Sequence, residues 1–336
     1  MQNEARTSGA GTSAAPGPTT DADVPAWVAG LGLPGLADIH VHFLPEPVMR
    51  KVWAYFDTHG WSEGGDWRIH YRLPEAERLA VARSLGLRAI PALTYAHKPG
   101  MAAWLNQWCA DFAERVPDAV PSGTFFPEPE AARYVPEALE RGVRLFKTHV
   151  TVGDFDPTDP FLAPAWSAVQ DAGVPVVLHA GSGPHPGRHT GPAPVAALLR
   201  RFPRLVLVIA HLGMPEHHEF ADLAERYAGV HLDTTMSGTD YVEARAPLPP
   251  DYLPRLRGLQ DKVVLGADFP NIPYPYAHQL EALARWDLGE DWLRDVLWHN
   301  GARLMRLPEP GAGLAPDTDP APRTATPRTD PAGEGR

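Results

Sequence analysis

The feature that most constrains the fold is a regular alternation of short apolar runs with helical patterns between residues 36 and 307. The apolar runs are rich in β-branched residues and are bounded by Gly and Pro, which is typical of strands. The predicted strands are Leu36–Phe43, Leu87–Leu93, Val120–Phe126, Gly142–His149, Val174–His179, Leu205–His211, Val230–Thr234 and Val263–Asp268. Strands that alternate with helices indicate a parallel sheet with crossover helices.

Eight such units favour a closed barrel over an open, doubly wound sheet. An open sheet is expected to carry a glycine-rich nucleotide loop after its first strand, and the sequence has none there. The predicted helices are Glu75–Leu85, Met101–Arg115, Pro129–Arg141, Pro160–Ala172, Pro192–Phe202, Glu216–Ala228, Tyr252–Leu259, Tyr276–Arg285 and Asp291–Leu307. We therefore predict an α/β fold, a TIM-type (β/α)8 barrel over residues 25–308, a fold that usually takes about 250 residues.

The two ends of the chain and one long connection depart from this pattern. Residues 1–24 and 309–336 consist largely of small residues and Pro, so we predict disordered tails. The connection over residues 44–74 is long and carries five large aromatic side chains, namely Trp53, Tyr55, Phe56, Trp61 and Trp67. Such an insertion forms either a lid over the site or a subunit contact, and the second alternative implies a homodimer.

Composition excludes several classes of partner. A formal net charge of −11 without a long basic run argues against nucleic acid or an anionic membrane surface. No apolar run approaches the roughly 20 residues of a membrane span. Residues 1–23 lack the features of a secretory signal, so we expect a cytoplasmic location. The one cysteine, Cys109, lies in a helical pattern and is interpreted as a packing residue.

The first predicted strand carries the sequence Asp38-Ile39-His40-Val41-His42-Phe43. Residues two apart on a strand point the same way, so Asp38, His40 and His42 share one face and the apolar residues share the other. Two imidazoles placed in this way can bind one transition-metal ion. A bare His-x-His motif is equally compatible with two unrelated histidines on an edge strand.

Metal-capable side chains also end four of the other predicted strands. The full set at strand ends is His40 and His42, Lys147 and His149, His179, His211, and Asp268. The carboxyl ends of the strands of an α/β barrel converge on one mouth, so these residues are expected to become neighbours. This convergence favours a metal site over isolated structural histidines.

These motifs, in this order, resemble those of a known family. The matching pieces are Asp38–His42, Val176–Gly181, Ile209–Gly213, Leu265–Pro270 and Asn300–Leu304. Together they are similar to the amidohydrolase superfamily, and within it to the branch of the aminocarboxymuconate-semialdehyde decarboxylase-like enzymes. The resemblance covers about residues 35–307 and implies one divalent ion per chain, Zn²⁺ or another transition metal, held by His40, His42, His179 and Asp268.

The resemblance also implies roles in catalysis. Asp268 would accept a proton from a metal-activated water and pass it to the leaving group, and His211 would orient the water or polarise the substrate carbonyl. Asp38, one pleat below the ligands, is expected to support them rather than to bind the metal. His217 and His218 follow the sixth strand on a helix that should face solvent, and we assign them no role.

Several positions keep more than one interpretation. Lys147 is either a carboxylated lysine that bridges two metals or a free ammonium that pairs with a carboxylate, and His149 is either an additional ligand or a substrate donor. Arg188, His97 and Asn271 follow strands and are candidate substrate contacts. Arg188 could clamp a carboxylate at two points, or it could be a solvated loop charge.

The predicted function is that of a metal-dependent hydrolase acting on an amide, lactone or related carbonyl bond of a small molecule. The same scaffold supports an alternative, the non-oxidative decarboxylation of an unsaturated or aromatic acid. A cationic pocket for the departing carboxylate, which Arg188, Lys147 and Lys98 could supply, would favour the decarboxylase. A carboxylated Lys147 would favour the hydrolase. A metal-free barrel that only binds a partner is the third interpretation, and the full set of candidate ligands argues against it.

Overall fold

The computed structural model describes residues 16–61 and 67–308. Its strands are β1 (Ile90–Pro91), β2 (Ala119–Val120), β3 (Ser122–Thr124), β4 (Leu145–His149), β5 (Val176–His179), β6 (Leu207–Ile209), β7 (Val230–Asp233) and β8 (Val263–Val264). Strands β3 to β8 form a parallel sheet in chain order, and β1 pairs in parallel with β2. Because β2 and β3 are successive pieces of one pass through the sheet, the strands account for seven barrel positions.

The eighth position is the extended segment of residues 36–43, which contains the His-x-His motif. It makes two isolated parallel bridges, Leu36 with Leu87 on one side and Val41 with Phe269 on the other. The Ile39 amide donates to the Leu265 carbonyl at 2.9 Å, which joins this segment to the end of β8. The predicted barrel is confirmed, with its first strand present as an extended segment rather than a continuous ladder.

Helices cover the outside of the barrel. They are α1 (Val24–Gly30), α2 (Glu46–Phe56), α3 (Glu75–Ser84), α4 (Met101–Arg115), α5 (Ala131–Glu140), α6 (Val150–Gly153), α7 (Ala163–Ala172), α8 (Pro192–Arg201), α9 (His217–Arg226), α10 (Asp240–Glu243), α11 (Tyr252–Gly258), α12 (Tyr276–Arg285), α13 (Glu290–Arg294) and α14 (Asn300–Leu304). Short 3-10 turns cover Asp21–Asp23, Pro160–Leu162 and Ala210–Gly213, and a π-helical turn covers Asp295–His299. No helix in residues 16–61 and 67–308 combines the length and the apolar character that a membrane crossing requires.

The apolar periodicities place one face of each element in a single core. On α5, Ala131, Tyr134, Val135 and Ala138 are buried, a spacing that puts all four on one side of the helix. The apolar row of residues 36–43 points outward under the helices, and the ring of Phe43 lies 5.2 Å from that of Phe112 on α4. The polar row of the same segment is thereby turned into the barrel.

Part of the predicted N-terminal tail is folded. The described chain begins at Pro16, and Asp21 accepts a hydrogen bond from the amide of Ala277 at the start of α12. The phenol of Tyr71 also donates to Asp21. These contacts join Asp21, inside the predicted tail, to Tyr71 and to the start of α12, while the domain boundary itself stays a prediction. The rest of that tail, residues 1–15, and the predicted tail 309–336 lie outside the described residues.

The insertion over residues 44–74 contributes helix α2, which the periodicity did not predict. Met49 and Trp53 are its buried side chains and pack against Leu44. Trp67 and Tyr71 are buried in the main core. The insertion therefore packs onto the barrel itself; its residues 62–66 lie outside the described part of the chain.

Candidate metal centre

Three of the predicted ligands meet at one mouth of the barrel. His40 and His42 come from the extended segment and Asp268 follows β8, and one ligand atom from each lies within 4.8 Å of the other two. Nε2 of His42 lies 2.9 Å from Oδ1 of Asp268, and Nε2 of His40 lies 3.7 Å from the same oxygen. This cluster, which we call the HHD cluster, is the group within the described residues whose donors are close enough to share one ion.

The other ring nitrogen of each histidine is held by an acceptor. Nδ1 of His42 lies 2.7 Å from the Leu93 carbonyl, and Nδ1 of His40 lies 2.9 Å from Oδ2 of Asp233. A carbonyl or carboxylate oxygen only accepts, so each Nδ1 carries the proton and each Nε2 presents a lone pair to the cluster. A lone pair of His42 then faces a carboxylate oxygen at 2.9 Å, and this arrangement requires a proton or a cation between them.

The backbone aims the Asp268 carboxylate at the histidines. Asp268 has a φ of 67°, in the left-handed region that Asp tolerates better than most residues. Its amide donates to the carbonyl of His40 at 2.8 Å, and its own carbonyl accepts from the amide of Asn271 at 2.9 Å. These two bonds hold the carboxylate beside the first strand at a backbone conformation that a β-branched residue would strain.

Burial and neighbouring charge set opposite protonation states for the acids and the bases. Burial alone would raise the pKa of Asp268, but its contacts with His42 and His40 outweigh burial and hold this pKa well below its usual range. Burial also acts to raise the pKa of Asp233, but the contact with His40 outweighs burial and lowers this pKa to about 2. Burial lowers the pKa of His40 to about 4. Asp268 and Asp233 are therefore ionised and His40 is neutral, the states that metal binding requires.

Lys147 lies within the same cluster of side chains. Its ammonium Nζ is 3.1 Å from Nε2 of His40, and the side chain is buried. Burial lowers the pKa of Lys147 to about 8, while Asp233 and Asp268 act in the opposite direction. As an ammonium it donates to the His40 lone pair; as a neutral amine it is the form that can be carboxylated. Both interpretations of Lys147 remain open.

The remaining predicted histidines form a second group, which meets the HHD cluster where the ring of His211 lies 5.4 Å from that of His40. The rings of His149 and His179 lie 3.9 Å apart with an interplanar angle of 12°, and the ring of His211 lies 4.8 Å from that of His179. Nε2 of His179 lies 3.2 Å from the Gly183 carbonyl, so this nitrogen donates to that oxygen and the lone pair is on Nδ1. Nδ1 of His211 is buried and has no hydrogen-bond partner among the described residues.

The predicted substrate contacts are dispersed. Arg188 and His97 are exposed. Asn271 is buried, and its side-chain oxygen accepts from the indole of Trp53 at 3.2 Å. Asp38 lies below the ligands, where its Oδ1 accepts from the amide of His40 at 2.9 Å, and so the supporting position predicted for it agrees with the geometry.

Three residues near the site escaped the sequence reasoning. Asp233 ends β7 and holds both the ring of His40 and, at 2.9 Å, the amide of His211. The strand-end rule applied to the other strands would have found it. The phenol of Tyr276 donates to Oδ2 of Asp38 at 2.8 Å, and the ring of Tyr95 packs edge to face on His42 at 5.7 Å. Neither tyrosine has a sequence signal, because the contacts of both depend on how distant segments meet.

The prediction that His217 faces solvent is wrong. Its side chain is buried, and its Nδ1 lies 3.2 Å from the Leu212 carbonyl.

Comparison with known families decides what kind of site this is. The family model described as amidohydrolase matches residues 37–307. This range is most of the chain and includes every residue of the site. The chain belongs to the amidohydrolase family. It is a metal-dependent enzyme of that family, and the HHD cluster is the group among the described residues that could hold a metal ion. Curated protein sequences give no significant match.

Solved structures agree with the fold at low sequence identity. An uncharacterised TIM-barrel protein from Bordetella bronchiseptica is 23% identical with a TM-score of 0.56, over 69% of this chain and 81% of that one. A protein named as a candidate 2-pyrone-4,6-dicarboxylic acid hydrolase from Pseudomonas putida is 17% identical with a TM-score of 0.54, over 81% and 98%. A 5-carboxyvanillate decarboxylase from Novosphingobium aromaticivorans, complexed with manganese and a nitrobenzoic acid, is 14% identical with a TM-score of 0.51, over 77% and 88%. At these identities the likeness shows the barrel fold.

Proposed function

We propose that the protein is a metal-dependent hydrolase that cleaves an amide, lactone or related carbonyl bond of a small molecule with a metal-activated water. The observation that carries this proposal is the position of Asp268, an ionised carboxylate 2.9 Å from one histidine of the HHD cluster. A carboxylate held in this way can both bind a metal and accept a proton.

His40, His42 and Asp268 would hold one ion per chain, with His179 as the fourth ligand that the family resemblance implies. The donor set fits Zn²⁺ because neutral imidazole and carboxylate are its usual ligands, and the His42–Asp268 pair requires a positive charge between its atoms. The manganese-containing structural relative supports Mn²⁺ as the alternative. When bound, such an ion acts as a Lewis acid and lowers the pKa of a water molecule from about 16 towards about 7.

The protein side chains would move the proton and hold the substrate. Asp268 would accept the proton of the attacking water and return it to the leaving group. His211, whose Nδ1 is buried and unpartnered among the described residues, would donate to the substrate carbonyl oxygen. Asp233 binds the backbone amide of His211 and the ring of His40, so one carboxylate would fix both groups relative to each other.

Decarboxylation is the second candidate function. It would need several cations gathered around the carboxylate that leaves. Of the three candidate cations, Arg188 and Lys98 are exposed, and only Lys147 is buried beside the HHD cluster. A single buried cation is weak support for an anion pocket, whereas the ionised Asp268 directly supports proton transfer. We therefore prefer hydrolysis. Because one structural relative is named as a decarboxylase, the test also measures decarboxylation.

The test is a panel of lactones, amides and unsaturated acids, assayed after reconstitution with Zn²⁺ or Mn²⁺ and with CO₂ release measured in parallel. We expect hydrolysis of at least one lactone or amide without CO₂ release. Asp268→Asn should keep the metal, because the amide oxygen still coordinates, and should lose turnover by roughly 10²- to 10⁴-fold, because an amide accepts no proton.

Two results would contradict this proposal. Release of CO₂ from an acid, with no hydrolysis anywhere in the panel, would replace the hydrolase with the decarboxylase. Normal turnover by the Asp268→Asn variant would remove Asp268 as the proton acceptor, whichever bond is broken.

A further inference from the structure

The insertion over residues 44–74 contacts the segment that carries Asp268. The indole Nε1 of Trp53, on α2, donates to the side-chain oxygen of Asn271 at 3.2 Å. The indole Nε1 of Trp67, at the far end of the insertion, donates to the main-chain oxygen of the same asparagine at 2.5 Å. Both indoles and Asn271 are buried. Two donors from one insertion therefore bind one residue, and we call these three residues the tryptophan brace.

The brace is three residues away from a metal ligand. The amide of Asn271 donates to the carbonyl of Asp268 at 2.9 Å, which closes the turn that presents the carboxylate. Asp268 itself has a left-handed backbone with a φ of 67°. A non-glycine residue stays in this conformation only where its surroundings hold it, and Asn271 is one of those surroundings.

Trp53 is fixed from its other side as well. The guanidinium of Arg78, on α3, lies 5.5 Å from the centre of the Trp53 ring and 5.3 Å from the centre of the Phe43 ring. Phe43 directly follows the ligand His42. A buried cation between two aromatic rings is held by both ring faces, and Arg78 thereby links the insertion to the other ligand-bearing segment.

We propose that the tryptophan brace positions Asp268 for metal binding, so that the insertion sets the metal affinity of the HHD cluster. This inference rests on the proposed function, since it concerns the same metal. It assigns the insertion a role at the site. Trp53 and Trp67 act through Asn271 and are positioning residues.

The experiment uses the full chain and the double variant Trp53→Phe, Trp67→Phe, which keeps two aromatic rings but removes both indole donors. Affinity for Zn²⁺ alone and for Mn²⁺ alone is measured by competition with a fluorescent chelator. We expect binding roughly 10- to 100-fold weaker than in the wild type, the usual loss when a group that orients a ligand is removed. Trp166→Phe is the matched control, because Trp166 is also buried and donates to a backbone carbonyl, that of Pro157, at 2.8 Å.

A second readout, the NMR signals of the indole N–H groups in the wild-type protein, does not depend on enzyme activity. The indole N–H signals of Trp53 and Trp67, assigned with the single variants, should shift in NMR spectra when metal is added, and that of Trp166 should not. If the double variant does not fold, Trp53→Phe alone, which loses only the bond to the Asn271 side chain, carries the affinity measurement.

The possible failures are distinguishable. Metal affinity in the brace variant equal to that of Trp166→Phe, with static indole signals, would overturn the brace and leave the proposed function intact. A wild-type protein that binds neither ion would overturn the metal function, and the brace, which acts through a metal ligand, would fall with it.

Discussion

Both sides of the barrel mouth carry histidines, but the histidine side chains are arranged differently on the two sides. On the side of His40, His42 and Asp268, the two histidines have their Nδ1 atoms held by acceptors, and their Nε2 atoms face one carboxylate. On the side of β4 and β5, His149 and His179 stack on each other, and Nε2 of His179 lies against the Gly183 carbonyl.

The difference shows what makes a histidine a ready ligand. Burial lowers the pKa of His149 and of His179 well below the usual value, so the histidines on that side are as neutral as His40. Neutrality is therefore common to both sides and does not distinguish them. His179 also has an acceptor on one ring nitrogen, the Gly183 carbonyl. What distinguishes the side of the HHD cluster is that the nitrogens opposite the two held Nδ1 atoms both face one carboxylate, so that their lone pairs point at a shared position.

The largest expected effect on metal binding comes from replacing both histidines of one side by alanine, one side at a time. His40→Ala with His42→Ala should remove the metal, because two of three clustered donors are lost. His149→Ala with His179→Ala should still bind about one ion per chain at excess metal, with affinity reduced by roughly 10- to 100-fold. Elemental analysis after gel filtration measures both. Equal metal loss in the two double variants would show that the sides contribute alike.

A smaller effect should follow from removing an acceptor rather than a ligand. Asp233→Asn keeps the shape of the side chain but replaces an ionised oxygen that holds His40 Nδ1–H. We expect metal affinity to fall by roughly 10- to 100-fold while the bound stoichiometry at excess metal is unchanged. Ser237→Ala, in the same loop after β7, is the control. An Asp233→Asn variant with wild-type affinity would refute the idea that the remote acceptor prepares the ligand.

The sequence predicted the barrel from local rules, and the resemblance to the amidohydrolase superfamily implied the ligand set His40, His42, His179 and Asp268. Strand periodicity places His40 and His42 on one face, and the convergence of strand ends brings Asp268 beside them. The family model and the TIM-barrel relatives confirm the family and the fold. The roles of the individual residues in catalysis remain proposals.

The sequence could not supply the parts that depend on contact between distant segments. The bond between Asp233 and His40 joins residues 193 positions apart, and that between Trp53 and Asn271 joins residues 218 apart. No periodicity encodes such pairs. The orientation of the His179 ring likewise depends on a loop carbonyl, so a correct strand-end prediction did not establish that the ring faces the HHD cluster.

The smallest expected effect on metal affinity concerns a buried histidine outside both sides, which gives a baseline for the comparison. His231 on β7 is buried, and burial, then the nearby Lys262 and Arg303, lower its pKa to about 4 against the opposing charge of Asp261. Because this pKa is below the unfolded value of 6.5, the stability that His231 contributes is present above pH 6.5 and is lost as the pH falls towards 4. The loss is at most about 3 kcal/mol.

His231→Gln removes this titration and leaves the mouth unchanged. The free energy of unfolding, from urea titrations of metal-free protein at pH 7.5 and pH 5, should fall less with acid in the variant than in the wild type. Metal affinity at pH 7.5 should be the same in both, since His231 contacts neither the HHD cluster nor the stacked pair. An equal loss of stability in the two proteins would mean that His231 is already protonated when folded, and acid sensitivity would then belong to the histidines of the mouth.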